Sequence, residues 1–207
     1  MSEKIYVTYN DVHKLCQEGA KELEKFNPEV IIAIGGGGFI PARILRTFLK
    51  RSRGDRSKNI PIQAVGLSLY EDMGTDDYEE KIGKEIIRMQ WLDFSALNEH
   101  KLDLIGKNIL IVDEVDDTRT TLHYAVSELQ KDLDALAEKL GRGDEKTTLL
   151  VFVLHNKDKP KNAELPADMM SSGRYVAACT TGDEWIAYPW EADNIDEHTR
   201  LGLAQKK

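Results

Sequence analysis

Short apolar runs alternate with amphipathic stretches along most of the chain. Apolar residues recur at helical spacing from Val12 to Phe26, from Ile44 to Leu49, and from Leu122 to Leu140. Asn10 is expected to cap the first of these helices and Pro28 to stop it, while Pro41 suits the first turn of the second. Six stretches read as strands or as a strand and turn: Val30–Ile34, Ile60–Tyr70, Glu85–Phe94, Ile109–Val112, Thr147–His155 and Arg174–Thr181.

This alternation predicts an α/β protein whose central, mostly parallel sheet is flanked by helices. Two polar stretches interrupt the pattern. "KRSRGDRSKN", residues 50–59, is expected to be a solvated surface connection. "EDMGTDDYEEKIGK", residues 71–84, is long for a simple connection, and it would be either a lid or a disordered segment. There is no internal repeat and no clear domain boundary.

Composition narrows the class of protein. A chain of 207 residues that is 41% hydrophobic is expected to bury one core. Its net charge of −8 argues against nucleic-acid binding, which needs a basic face. Cys16 and Cys179 make no disulfide framework and no C-x-x-C pair, which favours a reducing compartment. Since there is also no apolar leader and no membrane-length apolar run, we expect a cytoplasmic protein.

The densest chemistry lies in "ILIVDEVDDTRTTL", where an apolar strand runs into four carboxylates. A loop between a strand and a helix lies at the carboxyl edge of the sheet, where ligands bind in open α/β folds. The hydroxyl-rich segment Thr118–Thr121 and the unpaired N–H groups that begin a helix suit a phosphate. The carboxylates just before this segment suit sugar hydroxyls and a hard cation such as Mg²⁺. Together these donors and acceptors match a phosphorylated sugar held with magnesium. The alternative is that the acids only complement the helix dipole.

Two other motifs are less specific. "IGGGGFIPAR" places Gly35–Gly38 between a strand and a helix, where backbone approaches a ligand closely, although it matches neither a Walker loop nor G-x-G-x-x-G. A plain turn is the alternative. "DEWIAYPWE" offers Trp185 and Trp190, whose rings either stack on a planar heterocycle or simply pack in the protein.

Taken together, these motifs resemble the type I phosphoribosyltransferases, and in particular the fungal 6-oxopurine branch. "ILIVDEVDDTRTT" resembles the family's phosphoribosyl-pyrophosphate signature, "GGGGFIPAR" its pyrophosphate loop and "SLYED" the start of its mobile loop. "DEWIAYPWE" is similar to the C-terminal hood, and "FVLHNKDKPK" and "RMQWLDF" extend the likeness to nearly the whole chain. Within this branch the chain is most similar to the enzymes that use xanthine.

The resemblance implies the type I fold over residues 1–207, with a core at about 28–160 and a small hood from the N-terminal segment and about 161–207. It implies transfer of phosphoribose from phosphoribosyl pyrophosphate to a 6-oxopurine, with xanthine favoured over hypoxanthine and guanine. It further implies Mg²⁺ as cofactor and a homodimer, with no nucleic-acid or membrane partner.

The resemblance also assigns roles to residues. Asp113 and Glu114 would hold the ribose hydroxyls, and Glu114, Asp113 and Glu191 would serve magnesium. Asp117 would be the catalytic group facing the purine N7. Gly36, Gly37 and Gly38 would bind the pyrophosphate, with a non-proline cis peptide in their loop, and Thr118, Arg119, Thr120 and Thr121 would bind the 5′-phosphate. The purine would contact Trp185 and Ile186. Tyr70, Lys81 and Lys84 would belong to the mobile loop.

Three positions depart from the family pattern. Asp116 stands where the signature is usually apolar; no partner is assigned to it, and it is expected to be dispensable. Arg119 replaces a usual glycine and is expected to fold back onto the 5′-phosphate. The lysine that reads the 6-oxo group in relatives aligns with His155, with Lys157 as the nearby substitute.

Three functions remain open at this point. The first is the transferase, either as described or as a hypoxanthine-guanine enzyme with little xanthine activity. The second is a regulator that senses phosphoribosyl pyrophosphate without turnover, although such a protein would need a basic or apolar partner face. The third is an aspartyl-phosphate enzyme of D-x-D-x-T type, for which the matching register is Glu114-x-Asp116-x-Thr118, with glutamate at the nucleophile position.

Overall fold

The computed structural model describes residues 4–53, 56–69, 86–94, 97 and 102–206. Its strands are β1 (Lys4–Tyr6), β2 (Val30–Gly35), β3 (Arg51–Arg53), β4 (Arg56–Lys58), β5 (Ile62–Leu69), β6 (Ile86–Gln90), β7 (Asn108–Asp116), β8 (Thr148–Lys157), β9 (Tyr175–Thr181) and β10 (Trp185–Ala187). Its helices are α1 (Tyr9–Glu24), α2 (Phe39–Phe48), α3 (Thr120–Lys139), α4 (Ala167–Ser171) and α5 (Ile195–Ala204), and Pro189–Glu191 forms a 3-10 turn. The predicted mobile-loop residues Tyr70, Lys81 and Lys84, with the polar segment 71–84, lie outside this description.

A six-stranded sheet in the order β6-β5-β2-β7-β8-β9 forms the centre of the molecule. Every neighbouring pair is parallel except β5 and β6, which are antiparallel. The predicted α/β class with a mostly parallel sheet is therefore confirmed. Parallel strands share one carboxyl edge, so the ends of β2, β7 and β8 open onto the same side of the molecule.

Both faces of this sheet are covered, which explains why β7 is apolar without interruption. Ile109 and Ile111 belong to the core layer that includes the apolar side of α3. Leu110 and Val112, which alternate with them, belong to the opposite layer under α1 and α2. Burial on two sides removes the need for polar positions within the strand, so the polar residues of β7 are concentrated at its end.

The start of α1 differs from the expectation of an Asn10 cap. Thr8 is the N-cap, and its hydroxyl accepts a hydrogen bond from the N–H of Asp11 at 3.3 Å. The Asp11 carboxylate in turn accepts from the N–H of Thr8 at 2.9 Å, which closes a reciprocal capping box. Asn10 already lies inside the helix, because this pair satisfies the terminal N–H groups two residues earlier.

Two further expectations are wrong. Residues 50–59 are not a simple solvated connection, because β3 and β4 pair antiparallel within them. Leu140 was expected on the buried face of α3, but the helix ends at Lys139 and Leu140 is 46% exposed.

The two ends of the chain meet beside the main sheet. β1 pairs in parallel with β10, and the imidazole Nε2 of His198 on α5 lies 2.8 Å from the carbonyl oxygen of Val7. These contacts join the N-terminal segment to the C-terminal one, as a hood built from both would require. β9, which precedes the hood strand β10, belongs to the central sheet. None of the helices in the described part of the chain has the length and apolar character needed to span a bilayer.

The contact between α1 and β8 leads to a stability prediction. A Cβ atom on Gly19 would lie 2.2 Å from Cε2 of Phe152, whose side chain is fully buried. Gly→Ala in a helix usually stabilises by about 1 kcal/mol, but overpacking a rigid core costs about 1–3 kcal/mol. Because 2.2 Å is far inside van der Waals contact, we expect Gly19→Ala to lower the free energy of unfolding in urea by about 1–3 kcal/mol.

Gly143→Ala is the matched control, since a Cβ there would meet nothing within 4 Å. It should change the free energy of unfolding by no more than about 0.5 kcal/mol. Equal stabilities for the two variants would show that the α1–β8 contact is looser than described.

Candidate active site

A pocket of about 370 Å³ opens at the carboxyl edge of the sheet, between the ends of β2 and β7. It collects most of the residues that the two strand-to-helix motifs contributed as candidates. Its lining includes Gly36, Gly37, Asp113, Glu114, Asp117, Thr118, Arg119, Thr120 and Thr121. Residues about 80 positions apart in the chain therefore form one cavity, because β2 and β7 are neighbours in the sheet.

The glycine loop approaches the acidic stretch too closely for side chains. A Cβ atom on Gly37 would lie 2.1 Å from the Glu114 carboxylate, and one on Gly38 would lie 2.3 Å from the Val112 carbonyl oxygen. Gly36 faces open space, and the peptide bond between Gly35 and Gly36 is cis. Gly38 is the N-cap of α2. The loop therefore presents backbone to the cavity.

Asp113 and Glu114 line this cavity, and burial favours the protonated form of both carboxyl groups. Burial raises the pKa of Asp113 to about 8. Burial, followed by repulsion from the Glu191 carboxylate, raises the pKa of Glu114 to about 7. Trp190 donates its indole N–H to Glu114 Oε2 at 3.1 Å. Such carboxylates favour a ligand that donates hydrogen bonds or carries positive charge.

The main chain of Glu114 is tied to the hood. Tyr188 donates its hydroxyl proton to the Glu114 carbonyl at 3.1 Å, and His155 Nδ1 lies 2.9 Å from the same hydroxyl. A hydroxyl has one proton, so His155 carries hydrogen on Nδ1 and donates it to Tyr188. Burial lowers the pKa of His155 to about 4, which keeps the ring neutral. His155 therefore lies in the core behind the site, 4% exposed.

Asp117 is surrounded by lysines from the end of β8. Lys159 Nζ lies 2.6 Å from Asp117 Oδ1, and Lys157 Nζ lies 3.6 Å from the same atom. Both ammonium groups also contact Asp183 Oδ1, at 2.7 and 3.7 Å respectively. The carboxylates of Asp117 and Asp183 raise the pKa of Lys159. Two ammonium groups, those of Lys157 and Lys159, thus lie beside the Asp117 carboxylate.

The hydroxyl loop leads into α3. The hydroxyls of Thr118 and Thr120 lie 2.9 Å apart, and Arg119 is the N-cap without a side-chain capping bond. The first N–H groups of α3 therefore have no capping partner from Arg119, as an anion site at a helix start requires.

The expected position of the Arg119 side chain is wrong, and Asp116, to which no partner was assigned, is paired with it. Asp116 is 1% exposed and has partners, since its Oδ2 accepts from Arg119 Nε at 2.9 Å and from the Tyr175 hydroxyl at 2.7 Å. The Arg119 guanidinium is therefore engaged with a buried carboxylate instead of folding back toward a phosphate. A buried acid at the end of an apolar strand needs this partner to avoid an unpaired charge.

The hood supplies the remaining candidates. Trp185 is 62% exposed on β10, so its ring is free to stack on a ligand, while Ile186 beside it is buried. Glu191 is exposed, in the 3-10 turn, close enough to Glu114 to affect its pKa. Among the described residues no three His, Cys, Asp or Glu side chains form a ready-made metal site. Any cation here would need oxygen atoms from a ligand as well.

Sequence reasoning missed several residues of this region. Lys159 and Lys161 were visible only as the alternating basic positions of "KDKPK" after β8, a pattern that also fits a solvated loop. Asp183 and Tyr188 belong to the motif "DEWIAYPWE" and Tyr175 to a predicted strand, but none was given a role, because each acts through a partner more than 20 residues away.

Comparison with known proteins agrees with this site. The family described as "Phosphoribosyl transferase domain" matches residues 6–162. The chain is 61% identical to xanthine phosphoribosyltransferase 1 of Saccharomyces cerevisiae, over 99% of this chain and 97% of that protein. It is also 61% identical to the hypoxanthine-guanine phosphoribosyltransferase of Schizosaccharomyces pombe, over 94% of this chain and 92% of that protein.

Among solved structures, a hypothetical protein from Neisseria gonorrhoeae with bound ppGpp superposes with a TM-score of 0.74. Its sequence identity is 37%, and the match covers 99% of this chain and 98% of that one. The family match, the two relatives and the glycine, acid and hydroxyl loops around one cavity lead to the same conclusion: the chain belongs to the phosphoribosyltransferase family.

Proposed function

We propose that this protein transfers phosphoribose from phosphoribosyl pyrophosphate to a 6-oxopurine, as an enzyme of purine salvage, with xanthine the preferred base. The observation that carries the proposal is the single cavity that joins Gly36 and Gly37 to Asp113, Glu114, Asp117 and the loop Thr118–Thr121. The names of the two relatives at 61% identity support the purine class of substrate.

In this reaction a purine nitrogen forms a bond to C1′ of the ribose while the bond from C1′ to the pyrophosphate oxygen breaks. The purine loses a proton, and pyrophosphate leaves with the electron pair. Thr118–Thr121 and the start of α3 would hold the 5′-phosphate. The backbone of Gly36–Gly38 would bind the pyrophosphate, and Asp113 and Glu114 would accept hydrogen bonds from the ribose hydroxyls. Nearby carboxylates would also favour the positive charge that develops on the ribose ring.

Magnesium fits the donor set of this site. Mg²⁺ is usually bound by one or two carboxylates together with substrate oxygens and water, rather than by an all-protein cage. Asp113 and Glu114 would supply two such carboxylates, with Glu191 as a third nearby, and their burial, which raises the pKa of both, would favour a bound cation. When bound, the cation would neutralise charge on the leaving pyrophosphate.

The base would bind between Trp185 and the end of β8. Trp185 would stack on the purine, the backbone at Ile186 would contact its edge, and Asp117 would accept the proton at N7. Lys157 is the proposed reader of the 6-oxo group, since its ammonium lies 3.6 Å from the Asp117 carboxylate. His155 is engaged with Tyr188 in the core, so we assign it to holding the hood and not to the base.

Other parts of the proposal concern the whole protein. Tyr70, Lys81 and Lys84, outside the described residues, are proposed to cover the pyrophosphate during turnover and to exclude water from C1′. We further propose a cytoplasmic enzyme that acts as a homodimer.

The function is tested by incubating the protein with Mg²⁺, phosphoribosyl pyrophosphate and one base at a time. Xanthine, hypoxanthine, guanine and adenine form the panel, and nucleotide and pyrophosphate are measured. We expect turnover with the three oxopurines, highest kcat/KM for xanthine, and none with adenine. Turnover of hypoxanthine and guanine with little use of xanthine would favour the alternative, a hypoxanthine-guanine enzyme like the Schizosaccharomyces pombe relative. Absence of any product would refute transferase activity.

The role of Asp117 makes a quantitative prediction. Asp117→Asn keeps the size of the side chain but cannot accept the N7 proton, so kcat should fall by about two to four orders of magnitude. Steady-state kinetics with saturating substrates measures this. Asp144→Asn, which changes an exposed acid in a loop distant in sequence, is the control and should keep normal kcat. Near-normal turnover of Asp117→Asn would remove its assigned role.

The lysines beside Asp117 allow the reader of the 6-oxo group to be identified. Lys157→Met should raise the KM for the oxopurine by about 10–100-fold, because a charge-assisted hydrogen bond contributes about 1.5–3 kcal/mol. The KM for phosphoribosyl pyrophosphate should change little. Lys159→Met is the comparison variant, since Lys159 is equally charged and lies even closer to Asp117. If Lys159→Met alone shows the large effect on the base, the assignment passes to Lys159.

A further inference from the structure

The four side chains behind the phosphate loop, Asp116, Arg119, Lys161 and Tyr175, are here called the loop brace. We propose that the loop brace holds the backbone of residues 116–119 in the conformation that binds the 5′-phosphate. Its members are positioning residues that set the affinity for phosphoribosyl pyrophosphate. This inference rests on the proposed function, which gives the loop its ligand.

The centre of the loop brace is a buried ion pair. The side chains of Asp116 and Arg119 are 0% and 9% exposed, and Arg119 Nη2 lies 2.8 Å from Asp116 Oδ2. Arg119 Nε donates to the same oxygen at 2.9 Å, and the Tyr175 hydroxyl donates to it at 2.7 Å. The guanidinium carbon also lies 5.2 Å from the centre of the Tyr175 ring, within cation–π range. The arginine is thus fixed at its far end.

Fixing the guanidinium matters because the backbone of Arg119 adopts dihedral angles that are unfavourable for a residue other than glycine. Its φ is +68°, in the left-handed conformation that costs a non-glycine residue about 1–2 kcal/mol. A glycine would adopt this φ without penalty. The pair of charge-assisted bonds to Asp116 offsets the penalty and leaves the arginine with one conformation, where glycine would have many.

Lys161 contacts the carbonyl groups of the same backbone. Its ammonium has three donors, which reach the carbonyl oxygens of Asp116, Asp117 and Lys157, each at 2.8 Å. The next carbonyl, that of Thr118, accepts from the N–H of Asn162 at 2.9 Å. Three successive carbonyls, from 116 to 118, are therefore held by the segment that follows β8.

In a trans peptide the N–H points opposite to the carbonyl of the same unit. Carbonyls held toward Lys161 and Asn162 therefore direct the N–H groups of the following residues the other way. Residues 116–121 all line the cavity, whereas Lys161 and Asn162 do not. Successive N–H groups aimed at one cavity form a concave anion site. The loop brace thus links buried charges to the geometry that a phosphate would meet.

The pairing also explains why two departures from the family signature occur together. An apolar residue at 116 would leave the Arg119 cation buried without its partner. Glycine at 119 would leave the Asp116 carboxylate with Tyr175 and the more distant Lys161, whose Nζ is 3.7 Å from Oδ1. Either change alone leaves one member of the ion pair buried without its closest partner, whereas the double change removes both charges of the pair together. The two substitutions should therefore be strongly non-additive.

The test compares the unaltered protein with Asp116→Val, Arg119→Gly and the double variant. Each is assayed for KM and kcat with phosphoribosyl pyrophosphate, and for the Kd of a nucleoside 5′-monophosphate by calorimetry without turnover. We expect each single variant to raise KM and Kd by about tenfold or more, with kcat within about threefold, and the double variant to recover most of the affinity. Arg200→Ala, which breaks an exposed ion pair with Glu197, is the control and should leave KM and Kd unchanged.

The outcomes separate a positioning role from a purely structural one. Single variants that lose thermal stability but keep normal KM and Kd would show that the ion pair serves only folding, and would overturn the proposal. The proposal would also be overturned if the double variant had a KM and Kd no lower than those of the single variant that binds less tightly. If the unaltered protein binds the monophosphate without turning over substrates, the proposed function fails while Kd still tests the loop brace. An unaltered protein that binds no 5′-phosphorylated ligand would overturn both.

Discussion

The compensation of negative charge at the end of β7 is the constraint on which the rest of the site depends. A strand buried on both faces emerges into Asp113, Glu114, Asp116 and Asp117. Carboxylates crowded at the edge of an apolar sheet cannot all remain charged without partners. Arg119 comes from the same loop, but Trp190, Tyr175 and Lys159 come from other elements, so long-range contacts also set the geometry around β7.

These contacts join the separate parts of the molecule. Trp190 and Tyr188 connect the hood to the side chain and main chain of Glu114. Their rings are stacked on each other, with centroids 4.8 Å apart and planes within 5°. β9 contributes Tyr175 to Asp116, and the end of β8 contributes Lys159 to Asp117. The hood, which carries Trp185, is thereby held against the part of the cavity that Glu114 lines.

Sequence patterns predicted the features that depend on neighbouring residues and missed those that depend on residues far apart in the chain. Periodicity predicted the parallel strands and long helices because an element buried on one or two faces shows a regular pattern of apolar residues along the chain. Gly37 and Glu114 were found because each belongs to a short motif. Tyr175 and Trp190 were not assigned their roles, because they meet their acids across 59 and 76 positions respectively, where no local pattern exists. Thr8 and Asn10 are both residue types that cap helices well. Thr8 is the actual cap because Asp11, three residues later, completes a capping box with it.

Stability alone does not account for the pair formed by Asp116 and Arg119. Apolar residues of similar size often replace a buried ion pair at no loss of stability, because desolvating two charges offsets their attraction. The usual apolar residue and glycine of the signature would meet the demands of folding with less cost. An ion pair differs from that arrangement in being directional: two guanidinium donors and a phenol hydroxyl converge on Asp116 Oδ2 and fix Arg119 at φ +68°. What it adds is orientation of a turn whose N–H groups face the cavity, and orientation of donors is what the binding of a phosphate requires.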